Sequence, residues 1–330
     1  MAVAAAYAGD GWAADPAPAK TVGAVVFGAA GLAAVALLAD WAAGGRPKAE
    51  RPGRVRLARG SVAPSRGLHA SAALLSASVL ADSLVEHYRG SFENPGMYTP
   101  LLVSALGVAA GVDGATGRRS PASVRYGAYG LAGVVGAIGA GFHVYNLLRR
   151  PGGLNWLNAF YAAPVGAPAA LSLAGLIGAA AEHLDAHPAG PPRLLGLPAG
   201  RLLSALTGAG LIGTVGEAGL LHFRGSFQNP FMWLPVSLPP VAAALMGKAA
   251  AEPRRRGRSR ALTRVWLALT SVLGVAGVGF HAYGVSRAMG GWRNWSQNVV
   301  DGPPLPAPPS FSALAIAALS ALALRDREDG

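Results

Sequence analysis

Long stretches of this chain carry no charge, and its arginines fall in short clusters between them. A bilayer core about 30 Å thick asks for about 20 mostly apolar residues per spanning helix. Nine segments meet that requirement, at roughly 21–43, 68–88, 98–115, 126–147, 160–181, 202–222, 232–251, 264–286 and 309–324. In lipid every backbone N–H and C=O must be satisfied inside the segment, so runs of this kind fold as helices. The expectation is an all-α integral membrane protein with about nine transmembrane helices.

Composition agrees. Only 13% of the 330 residues are charged and 52% are hydrophobic, against roughly 25% charged in soluble domains. The mean hydropathy is +0.36. Net charge is +12, a balance that in a soluble chain points to nucleic acid. Here no basic stripe is interleaved with stacking aromatics, and the positive charge has another explanation. Cytoplasmic loops of membrane proteins are enriched in Lys and Arg. With no cysteine, disulfides, iron–sulfur clusters, thiolate metal sites and c-type haem attachment are excluded.

The clusters give a direction. Seven basic residues lie between Arg46 and Arg66. If that segment is cytoplasmic, alternation also puts Arg118, Arg119, Arg125, Arg193, Arg201 and the group from Lys248 to Arg264 inside, with Arg325 and Arg327. Most of the 28 Lys and Arg then face the cytoplasm, with the N-terminus outside and the C-terminus inside. Residues 1–19 hold no Lys or Arg, so they lack the basic start of a cleaved signal peptide.

An internal repeat is visible. Residues 87–100, His-Tyr-Arg-Gly-Ser-Phe-Glu-Asn-Pro-Gly-Met-Tyr-Thr-Pro, match residues 222–235 at nine of fourteen positions. Gly141-Phe142-His143-Val144-Tyr145 returns as Gly279-Phe280-His281-Ala282-Tyr283. Gly152-Gly153, Asn155-Trp156 and Pro164–Pro168 return as Gly290-Gly291, Asn294-Trp295 and Pro304–Pro308. The organisation expected is an N-terminal segment (1–66) with one helix, then four-helix repeats at 67–200 and 201–330. An even number of helices per unit makes the repeats parallel, related by an axis along the membrane normal. All the shared motifs fall at the outer side, which places the working end there.

Four repeat-related histidines are the first candidates: His87 and His143, with counterparts His222 and His281. Neighbouring antiparallel helices would hold each pair at one membrane depth, as a bis-His b-type haem or a small metal site requires. The plainer reading is a helix cap or a backbone hydrogen bond near the interface. Asp82 and Glu217 align with each other five residues earlier, about 7.5 Å deeper, and Glu86 is one turn after Asp82. A carboxylate in lipid has to be protonated, paired or hydrated. These three are candidates for a proton or substrate path, or for ion pairs with Arg89 and Arg224. The two arginines, retained against the positive-inside bias, could hold an anionic group such as a haem propionate or lipid phosphate. Snorkelling to the interface is the alternative. Met97 and Met232 suit core packing or copper. Tyr88, Phe92, Tyr98, Trp156, Phe227, Trp233 and Trp295 suit an interfacial aromatic belt. His69, His183 and His187 have no counterparts and read as structural.

The run from Gly141 through Pro168 resembles a group of multi-pass membrane proteins of high-GC bacteria, across most of both repeats. That resemblance implies company with periplasmic-side dehydrogenase components and carries over no functional residue. The function expected is a membrane anchor or electron-transfer subunit, not an enzyme on its own, with b-type haem the leading cofactor. It would meet membrane lipid, a periplasmic-side oxidoreductase and no nucleic acid. A transporter with a path between the repeats, or a cofactor-free scaffold, is the alternative.

Overall fold

A computed structural model describes residues 63–117, 120–162, 164–253 and 257–329. The first expected span, 21–43, lies outside the described residues. The rest is predominantly helical: α1 (Pro64–Arg89), α2 (Thr99–Thr116), α3 (Ala122–Leu148), the short α4 (Trp156–Tyr161), α5 (Gly166–Ala186), α6 (Ala199–Arg224), α7 (Leu234–Ala251), α8 (Gly257–Arg287), the short α9 (Trp295–Val300) and α10 (Pro309–Asp329). A minimal hairpin, β1 (Arg193–Leu194) with β2 (Leu197–Pro198), links α5 to α6.

Seven of these helices are long and apolar enough to cross a membrane. They are α1, α2, α3, α5, α6, α7 and α8, with short 3₁₀ turns extending α2 and α7 at their starts. The chain is thus a multi-pass membrane protein. Mid-helix Leu102, Ile138, Val272 and Val275 are exposed, an apolar exterior suited to lipid. The expected helix 160–181 begins later, at Gly166, because the prolines from Pro164 to Pro168 lack the N–H groups a helix interior uses. The residues before them form α4 instead.

α1 and α3 both pack on α2 and α5, closing a ring of four helices. α6 and α8 both pack on α7 and α10, closing a second ring. Small residues bring the backbones together. Gly175 of α5 lies on Gly133 of α3, where an added Cβ would stand 2.8 Å from the Gly133 Cα. Ser172 Oγ donates to the Gly133 carbonyl at 3.1 Å, and Ser312 Oγ to the Ser271 carbonyl at 2.7 Å. Without a hydrophobic driving force between helices in lipid, such close contacts and hydroxyl bonds hold the bundle.

α10 is not in the apolar set, being rich in Ala and ending in Arg325-Asp326-Arg327-Glu328. It is nevertheless deeply enclosed: Ala313, Leu314, Ala317, Ala318 and Ala321 are wholly buried. It packs against α1 as well as within its own ring, while α5 and α6 meet only lightly. Ser71 Oγ of α1 donates to the Ala313 carbonyl at 2.7 Å, Ser78 Oγ donates to the Pro306 carbonyl, and Gly67 leaves room for the Ser320 hydroxyl. One end of the bundle carries the links 90–98, 149–165, 225–233 and 288–308, and is called the motif end below. The other, where α2, α5 and α7 end and α3, α6 and α8 begin, is the far end.

Candidate functional site

All four repeat-related histidines lie half-buried near the motif end. His87 Nδ1 donates to the Met97 carbonyl at 2.6 Å, and His222 Nδ1 to the Met232 carbonyl at 2.9 Å. His143 Nδ1 donates to the Pro164 carbonyl at 2.6 Å, and His281 Nδ1 to the Pro304 carbonyl at 2.7 Å. A carbonyl can only accept, so Nδ1 carries a proton in each ring. In the neutral imidazole that leaves Nε2 with its lone pair. No Nε2 of the four has a hydrogen-bond partner among the described residues. A ring tied by Nδ1–H to a backbone carbonyl, with Nε2 available, is the usual posture of a metal-ligating histidine.

The accepting carbonyls are available for a reason that lies in the sequence. Pro100 and Pro235 follow Met97 and Met232 by three residues. Pro168 and Pro308 follow Pro164 and Pro304 by four. Pro100 and Pro235 stand where a 3₁₀ N–H would otherwise donate, and proline has none. Pro164 and Pro304 precede the helices that follow them, α5 and α10, and the Pro304 carbonyl also accepts from Ala307 N at 3.2 Å.

His222 and His281 face each other with ring centres 6.4 Å apart and planes at 76°. Two imidazoles sharing one metal through Nε2, each about 2 Å from it, hold their ring centres roughly 6 Å apart. His143 lies within electrostatic reach of His87. The helices that carry each pair are not antiparallel neighbours, contrary to the sequence expectation. α1 and α3 run in the same direction and stand diagonally across the first ring, as α6 and α8 do across the second. The pairs thus face each other through the ring interior. Among the described residues, no three His, Asp or Glu side chains group so as to hold a metal ion. A haem iron takes four ligands from the macrocycle and asks the protein for two.

A turn repeated at the motif end positions the α1 and α6 rings. The helices close on Gly90 and Gly225, whose φ values are negative, −84° and −82°. The left-handed residues are the next two, Ser91 and Phe92 at φ 54° and 48°, and Ser226 and Phe227 at 54° and 46°. Such backbone costs a non-glycine residue roughly 1–2 kcal/mol. The turn folds the phenylalanine back on its helix. Phe92 stacks on Tyr98 at 4.6 Å and sets its face edge-on to His87 at 6.2 Å. Phe227 stacks on Trp233 at 4.2 Å and meets His222 at 6.1 Å. These two rings brace histidines and do not join the aromatic belt, whereas Tyr88, Tyr98, Trp156, Trp233 and Trp295 are exposed. The glycines have another use: the Met97 and Met232 methyls lie over Gly90 and Gly225, 3.0 and 2.8 Å from where a Cβ would stand. Both methionines are thus packed on a helix end.

The arginines have protein partners. Arg89 pairs with Glu86 at 3.0 Å. Arg224 donates to the Phe160 carbonyl and lies over the Phe160 ring, 5.1 Å from its centre, tying α4 to the end of α6. Two asparagines that the motif comparison passes over fix the outer links. Asn158 Nδ2 donates to the Gly153 carbonyl and Asn298 Nδ2 to the Gly291 carbonyl, both at 2.7 Å. They follow the Asn-Trp pairs at spacings that differ by one residue, which hid the match.

Asp82 and Glu86 stand on α1 and Glu217 on α6, two helices that scarcely touch. Asp82 is within electrostatic reach of both glutamates, and the Glu217 carboxylate lies against the Gly166 backbone at the head of α5. A helix N-terminus favours such a negative group.

At the far end of the first ring is a network the sequence reading treats as structural. His69 is fully buried. Its Nε2 donates to Asp185 Oδ2 at 3.2 Å, with Glu182 Oε1 at 3.5 Å, and Tyr129 Oη stands 2.8 Å from its Nδ1. Arg125 clasps Glu182 with two nitrogens and bonds Asp113 at 2.9 Å. Four helices contribute to it. His183 and His187 stack on each other at 4.4 Å beside the far-end link.

No protein-family model, curated protein or solved structure matches the chain.

Proposed function

We propose that this chain is a membrane-embedded electron-transfer or anchor subunit that binds b-type haem through His87 with His143 and through His222 with His281. The observation that carries the reading is the shared posture of the four rings, each anchored by Nδ1–H to a backbone carbonyl, with one pair at the separation a bridging metal asks for. The bland role of a histidine, satisfying itself on the backbone, accounts for Nδ1. It does not account for four Nε2 atoms without hydrogen-bond partners among the described residues, nor for the prolines three residues beyond Met97 and Met232. Haem would supply the redox chemistry; the chain supplies ligation, placement and an apolar surround.

In this reading the chain crosses the membrane nine times, with one N-terminal helix and two parallel four-helix repeats at 67–200 and 201–330. The motif end faces outward and the basic far end the cytoplasm, following the charge bias. A periplasmic-side oxidoreductase docking over α4 and α9 would be the electron partner. The test is the visible spectrum of the protein purified in mild detergent, with a pyridine haemochrome assay. A Soret band that disappears in His143→Ala/His281→Ala is expected. Colourless protein would remove the reading.

The grouping of Asp82, Glu86 and Glu217 between the two rings favours one other reading, a transporter with its path at that junction. It requires that Asp82→Asn/Glu217→Gln abolish flux in folded protein.

A further inference from the structure

We propose that each histidine pair is set in place from the opposite ring: Ser78 of α1, in the first ring, positions His281 in the second, and Glu217 of α6, in the second ring, positions His143 in the first. The proposal rests on reading these histidines as ligands, and it names what holds them still. His143 and His281 each bond a proline carbonyl, Pro164 or Pro304, in the link that follows their own helix. Two residues further on, each link is tied to the other ring. Ser78 Oγ donates to the Pro306 carbonyl, and the Glu217 carboxylate lies against the Gly166 backbone.

Pro306 and Gly166 hold the same place in the two copies, at the centre of Pro304–Pro308 and of Pro164–Pro168. The ties made there differ in chemistry. A proline offers its carbonyl and no N–H, and a hydroxyl meets it. Glycine leaves its backbone bare, and a Cβ on Gly166 would collide with the Glu217 carboxylate. Two residues of chain span at most about 7 Å, so a tie at Pro306 limits where the Pro304 carbonyl can lie. Both prolines have φ locked at about −65°, which stiffens that stretch.

More of each link leans the same way. Trp156 and Phe160 of α4 meet the Phe223 ring of α6 edge to face, at 5.8 and 5.9 Å, and Arg224 holds the Phe160 carbonyl. In the second link, α9 touches α1. The links thus cross: each belongs to one ring by sequence and lies on the first helix of the other. α5 and α6 meet only lightly, so on that side the link carries position from one ring to the other. A pair anchored in this way does not shift alone. A group bound at His143 is felt at α6, and one bound at His281 is felt at α1.

The test is NMR of the full chain in mild detergent with isotope-labelled histidine, each Nδ1–H signal assigned by replacing one histidine at a time. Ser78→Ala should speed exchange of the His281 Nδ1–H with water at least about tenfold, and leave that of His87, on the same helix as Ser78, unchanged. Glu217→Ala should do the same to His143 and spare His222, on its own helix. If Ser78→Ala fails to fold, Glu217→Ala decides. No change at the opposite histidine, a change at the same-helix histidine instead, or all four loosened alike overturns the proposal. The signals need no bound group. Colourless protein would remove the haem reading and leave a crossed pattern intact, whereas an uncrossed pattern would remove the positioning and leave a Soret band intact.

Discussion

The imidazole of His87 and the carbonyl of Met97 meet at 2.6 Å because Pro100, three residues on, has no N–H to offer that carbonyl. Proline here does more than start a helix: it reserves an acceptor. The same holds for His222, Met232 and Pro235.

Pro100→Ala and Pro235→Ala would return a 3₁₀ donor to the Met97 and Met232 carbonyls and loosen the ring each one holds. Outer-shell partners of this kind are worth about 10–100-fold in affinity for the bound group. Haemin titration of the purified variants should show affinity down at least about tenfold, with the helix content unchanged. Equal affinity would separate the prolines from the histidines.

Arg125→Thr alone leaves Glu182, 1% exposed, without its clasp. Breaking a buried pair from one side costs about 3–5 kcal/mol, whereas replacing both partners by apolar groups is often neutral. Arg125→Thr/Glu182→Leu, the residues aligned in the second ring, should therefore recover most of the loss. Unfolding in mixed micelles, run as a double-mutant cycle, measures it. A double variant as unstable as the sum of the singles contradicts the pairing.

Gly175→Ala should cost about 1–3 kcal/mol, since its Cβ would press on the backbone of α3 and force the helices apart. Gly213→Ala meets nothing within 4 Å and should be neutral or gain up to about 1 kcal/mol. Thermal melts of the two variants give opposite signs if helix approach sets stability here.

Ser91→Gly relieves a left-handed residue and should stabilise the motif-end turn by up to about 1 kcal/mol. Phe92→Ala keeps the turn but frees the His87 ring. Ring order, read from the histidine NMR line widths, should fall in Phe92→Ala and hold in Ser91→Gly. The reverse pattern would assign the ring's order to the turn itself.

Much of this was legible in the chain. Uncharged runs gave helices α1 to α3 and α5 to α8 with ends displaced by up to seven residues, most at α5 and α8, and the repeat pointed at the motif end. Single-chain pattern could not show that His69, Asp113, Arg125, Tyr129, Glu182 and Asp185 converge, because they come from four helices and share no spacing. Nor could it show which helix is central. α10 is enclosed by other helices, which its Ala and Ser residues let approach closely. Gly90 ends α1 with a negative φ; the strain sits one and two residues later, on Ser91 and Phe92, where residue type gives no warning.

The place of α10 also sets an order of assembly. It is made after every helix it touches, and it and the turn just before it supply the carbonyls, of Ala313 and Pro306, that Ser71 and Ser78 of α1 bond. Until it arrives, the first ring carries an open polar seam along α1, so the two rings can lock together only after α10 has been laid down between them.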